Sequence, residues 1–334
     1  MLERTYLSKF NTIIKGKNFN TSLNPIAELC YGMSTTRILC YFDIDNIKNL
    51  IENGTMPDRN KIKHVLRITN AGSVDFTQLH NKETSTIHDC NRQRATSFDL
   101  IFFLVPQKWD RGKGFDYSTS SFNIDFYSNK QADPNRLIST DGCNWYQARN
   151  GFKWNEEGIY SNDTLSKEYD KFGTEEGSKI IIGRQHFDIG NENISLDITS
   201  IIHKMIDNEI ENNGIGIAFS PRLERIGNNT GFDMHTMEEY VGFFTDKTNT
   251  FFEPFIETTY CDYISDDRSN FVLNKNNKIY LYCSMGGTLT NLDENPQVTI
   301  KNGSEEVITG ADGTKYENVK SKRYSNGVYY IEVN

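Results

Sequence analysis

One stretch of this chain leaves few folds open to it. Between residues 194 and 260 three segments follow closely: Ile194-Ser195-Leu196-Asp197-Ile198-Thr199, then Asn213-Gly214-Ile215-Gly216-Ile217-Ala218-Phe219, then Phe252-Glu253-Pro254-Phe255-Ile256-Glu257-Thr258-Thr259-Tyr260. In the first, Leu196 and Ile198 alternate with polar neighbours, the two-residue period of a half-buried strand. After Thr199 the apolar residues Ile201, Ile202 and Met205 fall at helical spacing. Asn213-Gly214 is a turn signal opening a strand with Ile215, Ile217 and Phe219 on one side. A strand, a short helix and two more strands read as the edge of a β-sandwich, and no side chain among them is set up for catalysis.

The rest of the chain repeats the pattern. Ser97-Phe98-Asp99-Leu100-Ile101-Phe102-Phe103-Leu104-Val105-Pro106 is its most apolar run. Its length, its aromatic content and the closing proline predict a buried central strand. Residues 37–44 and 64–69 are expected strands, joined by one short helix through Ile47, Leu50 and Ile51 that ends at Asn53-Gly54. Residues 1–35, with Tyr6, Phe10, Ile13 and Ile14, predict a strand or arm leading into the sandwich. After Tyr260 the character changes: 261–270 is a polar linker, and strand-like runs at 278–283, 297–300 and 328–333 follow. Gly286-Gly287, Asn302-Gly303, Asp312-Gly313 and Asn326-Gly327 punctuate them as turns.

Several of these residues carry a family resemblance. Asp197-Ile198-Thr199, Asn213-Gly214 and the 254–260 strand resemble the closing half of the jelly-roll modules known as DNRLRE or carbohydrate-binding-like domains. Thr36-Arg37-Ile38-Leu39-Cys40-Tyr41-Phe42-Asp43-Ile44 and Lys63-His64-Val65-Leu66-Arg67-Ile68 look like that family's early strands. Val298-Thr299-Ile300 and Gly327-Val328-Tyr329-Tyr330 resemble small Ig-like modules of phage virion proteins. The expected fold is therefore all-β: a jelly-roll β-sandwich with a long aromatic loop insertion over residues 1–262, then a small Ig-like β-sandwich domain over 263–334. At ~70 residues that second domain is short for an Ig sandwich and is expected to lean on a neighbour.

Composition narrows the function. The 334 residues are 37% hydrophobic and 12% aromatic, enough for ordinary cores. No apolar run approaches the ~20 residues that span a bilayer, and Met1-Leu2-Glu3-Arg4 does not open a signal peptide. The net charge of -9 argues against a general phosphate-binding surface, so no nucleic-acid partner is expected; Arg92, Arg94, Lys108, Arg111 and Lys113 are interspersed with Asp99, Asp110 and Asp116. The six cysteines (Cys30, Cys40, Cys90, Cys143, Cys261, Cys283) stand singly, as free thiols of a reducing compartment do. His88-Asp89-Cys90 lacks the further ligands of a zinc site.

Catalytic constellations fare no better. Gly112-Lys113-Gly114 is too short for a phosphate loop. Glu156-Glu157 and Glu175-Glu176 are adjacent in sequence, whereas glycosidase carboxylates face each other from different elements. Nothing in the spacing brings Cys143 and His186 together as nucleophile and base. No cofactor, catalytic residue or metal ligand is assigned, although Asp141, Glu157, Asp163 and Asp188 are available oxygens should calcium accompany a carbohydrate-binding sandwich.

Residues 107–190 hold all three tryptophans and many tyrosines and phenylalanines. Such a length is far beyond an ordinary structureless loop, so this connection is expected to fold over a sheet edge and to carry function. Three readings stand open: aromatics folding the loop onto the sandwich, an interface with other subunits, or a glycan platform. The candidate contact residues are Trp109, Tyr117, Trp145, Tyr146 and Trp154. The jelly roll, the Ig-like module and the Tyr6-Leu7-Ser8-Lys9-Phe10-Asn11-Thr12-Ile13 arm together look like structural proteins of tailed phages, particularly crAss-like phages. That resemblance implies a non-enzymatic virion protein, assembled in the host cytoplasm as a homo-oligomeric ring of the neck or tail, with other virion proteins as partners. The rival is an adhesion module for host surface polysaccharide; a polysaccharide-degrading enzyme ranks third.

Overall fold

The computed structural model describes residues 2–32, 34–52, 56–57, 59–72, 92–114, 140–226, 238–260, 266–272 and 275–334. The fold is all-β, mostly strand with few helices, its antiparallel sheets forming a sandwich or barrel-like arrangement. The chain separates into two compact units: Arg4–Asp43 with His64–Glu257, and Met1–Glu3 with Ile44–Lys63 and Thr258–Asn334. The smaller unit thus takes in residues 44–63 as well as the C-terminal segment.

Thirteen strands precede the C-terminal module among the described residues: β1 (Leu2–Ile14), β2 (Ile26–Gly32), β3 (Thr36–Phe42), β4 (Ile62–Ile68), β5 (Arg92–Arg94), β6 (Phe98–Leu104), β7 (Gln147–Arg149), β8 (Phe152–Lys153), β9 (Ile181–Phe187), β10 (Ile194–Asp197), β11 (Ile215–Phe219), β12 (Glu238–Phe244) and β13 (Phe255–Tyr260). The helices are α1 (Asp45–Glu52), α2 (Asn162–Lys171), α3 (Thr199–Ile206) and α4 (Pro221–Ile226). The main sheet runs β10-β4-β13-β1-β3-β11-β6-β9, and a three-stranded sheet runs β2-β12-β5. The expected strands at 37–44, 64–69, 97–106, 194–199, 215–219 and 252–260 are all present, as are the helices after Ile44 and Thr199. Residues 2–14 are no peripheral arm: β1 lies inside the main sheet, between β13 and β3. Of the 194–260 stretch only β10 is an edge; β11 and β13 lie within.

Gln185 bridges the two ends of the main sheet. Gln185 on β9 donates from Nε2 to Asn193 O and accepts at Oε1 from Ser195 N on β10, both at 2.8 Å. Its carboxamide stands in for a peptide group between strands that would otherwise be open edges.

Apart from Asp99 the sequence of β6 is apolar because the strand is covered on both faces. Phe98 stacks on Phe187 at 4.8 Å and meets Phe219 edge-on at 5.0 Å, while Phe187 and Tyr31 reach Phe243 and Phe219; this aromatic layer joins the main sheet to β2 and β12. On the other face Ile101, Phe103 and Val105 join Ile13, Leu39, Ile181 and Ala218 beneath Trp109, Trp145, Trp154 and Leu165. Gly216 makes room there, since a Cβ would come within 2.2 Å of the Phe103 ring.

In the smaller unit a three-stranded sheet has β20 (Val328–Val333) between β14 (Asn277–Tyr282) and β19 (Lys322–Ser325). A small hairpin, β15 (Ser284–Met285) with β16 (Thr288–Leu289), and a two-stranded ladder of β17 (Gln297–Val298) with β18 (Val319–Lys320) accompany it. Tyr316, Ile331 and Val333 form its core with Ile279, Val298, Ile300, Ile308 and Val319. A second cluster joins Met56, Ile62 and Tyr260 to Leu50 and Ile51 of α1.

Candidate functional site

The site begins with a charge where none is comfortable. Arg37 lies on β3 among Thr36, Ile38 and Leu39, with its side chain 2% exposed. A guanidinium there has to be neutralised and fully hydrogen-bonded. Glu224 of α4, equally buried, accepts from Arg37 Nε at 3.0 Å and from Nη2 at 2.6 Å, a bidentate pair. Nη1 donates to the carbonyls of Gly158 and Tyr160, both at 2.6 Å, and the guanidinium lies 5.0 Å from the Trp145 ring centroid. Gly158 permits this approach: it has φ +71°, and a Cβ would sit 2.6 Å from the Trp145 indole.

Local sequence puts each partner in place. Pro221 opens α4, where its missing N–H is no loss, and Glu224 follows one turn later. Ser161 caps α2, its hydroxyl accepting from Thr164 N at 3.2 Å, so that Asn162 begins the helix beside α4. Asn162 Nδ2 donates to Glu224 Oε2 and to Pro221 O, both at 3.2 Å, while its Oδ1 accepts from Arg225 Nε at 2.8 Å. Lys15 follows β1, its backbone N–H bonded to Thr35 O at 2.8 Å. Lys15, Arg37, Asn162 and Glu224, with Trp145, Glu157 and Tyr160, line a cavity of about 170 Å³. Burial lowers the pKa of the Lys15 amine below its ordinary value; Glu224 works in the opposite direction, and Arg37 reinforces the fall. Arg37 itself spends its donors on protein acceptors, which makes it a clamp between β3, α4 and the 158–160 segment.

Of the aromatic candidates only Trp145 borders this cavity. Trp109, Trp145 and Trp154 are 2%, 6% and 5% exposed. Trp109 Nε1 donates to Asn213 O and Trp154 Nε1 to Asn144 O, both at 2.8 Å. Their rings are core, and they present no face for a sugar or a neighbouring subunit. Tyr146 is 37% exposed and borders an open cleft of about 440 Å³ with Asn18, Asp141, Gln147 and Asn150. Tyr117 lies outside the described residues. The three tryptophans and Tyr146 therefore do not form one platform; of the three readings of the loop, the geometry of the tryptophans matches aromatics folding it onto the sheet.

The other sequence candidates stay apart. Cys143 is buried, its thiol pushed up to about 12 by burial against the opposing hydrogen bond from Asn11 Nδ2, which reaches its Sγ at 2.8 Å. His186 is exposed and bonded to Asp99 at 2.8 Å, so the two do not form a nucleophile and base. Gly114 N donates to Asn20 Oδ1 at 3.0 Å and Leu23 N to Gly114 O at 2.8 Å, which makes Gly112-Lys113-Gly114 a packed connection. Glu156 accepts from Ser161 N and Thr164 Oγ1, and Glu176 pairs with Lys171. Asp163 binds Arg225 and Asp188 faces His186. Among the described residues no three His, Cys, Asp or Glu side chains converge to hold a metal ion. His88, Asp89 and Cys90 fall outside those residues.

The cluster around Arg37 was not picked out from sequence, although it left a signal: a lone arginine inside an apolar strand requires a buried carboxylate somewhere in the chain. Its partner lies 187 residues away, beyond the reach of local spacing. No protein-family model matches this chain, and no curated protein matches it. None of the described helices is long and apolar enough to cross a membrane.

Proposed function

We propose that this chain is a non-enzymatic structural subunit that acts by assembling with other proteins, in several copies, as a ring of the neck or tail of a tailed-phage virion. The virion setting follows the sequence resemblance. The assembly role rests on one observation, the β15-β16 hairpin. Ser284 pairs with Leu289 and Met285 with Thr288, so Leu289 and Met285 point to opposite faces of a two-stranded ribbon. Both are exposed, Met285 at 76%, and Tyr282 and Leu292 at its base are exposed as well. Four exposed apolar side chains on and beside one short ribbon offer a surface that another protein can cover. Gly286 and Gly287, with φ of +59° and +85°, close the turn tightly enough to hold it as a finger.

The test is a copy count of this chain in intact particles by mass spectrometry, with native mass spectrometry of the recombinant protein. Six or twelve copies per particle, the symmetries of neck and tail rings, are the expected result. A chain absent from particles and monomeric at high concentration would overturn the proposal. The polysaccharide-adhesion reading has lost the tryptophan platform on which it depended.

A further inference from the structure

The cavity beside Arg37 brings together the parts of an amide-forming reaction. Asn162 is held as an electrophile: Arg225 donates to its Oδ1 at 2.8 Å and draws electron density from Cγ, while its Nδ2 rests on Glu224 Oε2 at 3.2 Å. Lys15 lines the same cavity of about 170 Å³, with Trp145 and Tyr160 as apolar walls. An amine is a nucleophile only when neutral, and partial burial moves Lys15 in that direction. Glu224, with its side chain 2% exposed, is a carboxylate fixed by Arg37 and aimed at the nitrogen that has to leave.

We propose that Lys15 and Asn162 become joined by an intramolecular amide bond, with Glu224 relaying the proton. Lys15 Nζ attacks Asn162 Cγ, and the tetrahedral carbon's oxygen is held by Arg225. The proton released by the attacking amine passes to Glu224 Oε2 and then to Nδ2. The Nζ–Cγ bond replaces the Cγ–Nδ2 bond, ammonia leaves, and the carboxylate is restored. No oxidant, cofactor or second substrate is consumed. Holding both groups in one cavity raises their effective concentration, on which amide exchange without an activated acyl group depends. The reaction occurs once per chain, which is compatible with a subunit that turns over no substrate, and it does not depend on the assembly reading. Its product ties the end of β1 to the start of α2, and so fastens the 140–180 segment covalently to the main sheet.

The intact mass of the purified, denatured full chain decides it. The expected mass is lower than the sequence mass by one ammonia, about 17 Da, and a proteolytic map contains a branched peptide carrying Lys15 and Asn162. Lys15→Arg keeps the positive charge, leaves the Arg37–Glu224 pair intact and is expected at its own full sequence mass. Asn162→Ala is expected to behave likewise. A folded wild-type chain at its full sequence mass after prolonged incubation overturns the proposal. So does the same ammonia loss in Lys15→Arg, which would place the loss at another residue.

Discussion

Arg37 and Glu224 neutralise each other where neither has access to water, so the cost of losing one partner exceeds the worth of the pair. Glu224→Gln leaves a guanidinium with an uncharged partner in a 2% exposed position, and the expected loss is about 3–5 kcal/mol of unfolding free energy. Urea denaturation measures it, and Arg37→Met combined with Glu224→Leu is expected to recover much of the loss because no charge is left buried. If the single variant unfolds at the wild-type midpoint, the pair is not the clamp described. His64 on β4 poses the opposite problem, a titratable ring that stays neutral. Burial, helped by His203 at 5.7 Å between ring centroids and opposed by Asp197, lowers its pKa from 6.5 to about 4. Between those values the unfolded chain binds more protons, so stability is complete above pH 6.5 and falls as pH drops towards 4. By pH 5 the expected loss from this group is about 2 kcal/mol. Denaturation midpoints of wild type and His64→Gln at pH 7.5 and pH 5 test this; equal pH sensitivity in the two proteins would refute the assignment.

Elements were legible where burial is one-sided or complete, and obscure where it changes along their length. β10, α3 and β11 were readable because Leu196 and Ile198, then Ile202 and Met205, then Ile217 and Phe219 keep a single period each. β1 reads in sequence as a strand or arm because its first half is largely exposed and its second half is buried on both faces, Asn11 and Thr12 included. No single period describes such a strand. α2 escaped because it buries only Leu165, leaving no stripe to detect. The polar segment after Tyr260 looked like a linker, yet part of it closes a sheet edge. Asp267 Oδ2 accepts from Lys278 N at 2.8 Å, Asp266 Oδ2 from Tyr280 N at 3.3 Å, and Arg268 Nη2 donates to Tyr280 O. Three backbone groups on the outer side of β14 are thereby occupied by side chains, a direct protection against strand addition. Replacing Asp266 and Asp267 together by Ala is expected to cost about 1–3 kcal/mol, the range for losing two such bonds. It also exposes a pairing edge, so light scattering at high concentration should rise with time. A double variant as stable and as soluble as the wild type would show that the edge is protected by other means.

At the level of the whole molecule, the sequence reported how many aromatic residues the 107–190 connection carries but not where they point. A tryptophan suits a binding surface and a core equally well, since it has both a large apolar ring and a polar N–H. What decides is the sheet beneath: β6 is apolar on both faces, β2 and β12 cover one, and the other needs the indoles of Trp109, Trp145 and Trp154. All three tryptophans of the chain being buried, intrinsic fluorescence is expected to be blue-shifted and resistant to iodide, and strong quenching in the folded protein would contradict the placement. Trp154→Ala is expected to destabilise by about 3–5 kcal/mol. The β15-β16 finger is the converse case, apolar side chains whose removal leaves the fold untouched. Tyr316, Ile331 and Val333 make the core of its unit without it, while Met285 and Leu289 stand in solvent. Met285→Asp with Leu289→Lys should therefore leave the urea midpoint within about 0.5 kcal/mol of wild type, as for other exposed positions. The same variant should lose oligomers in native mass spectrometry and fail to enter particles, because a charge on each face cannot be desolvated against a partner. A variant that folds and still assembles at wild-type level would remove the finger from the interface, and an unfolded one would place these side chains in the core; only folding without assembly agrees with a chain whose exposed apolar surface is there to be covered by its neighbours.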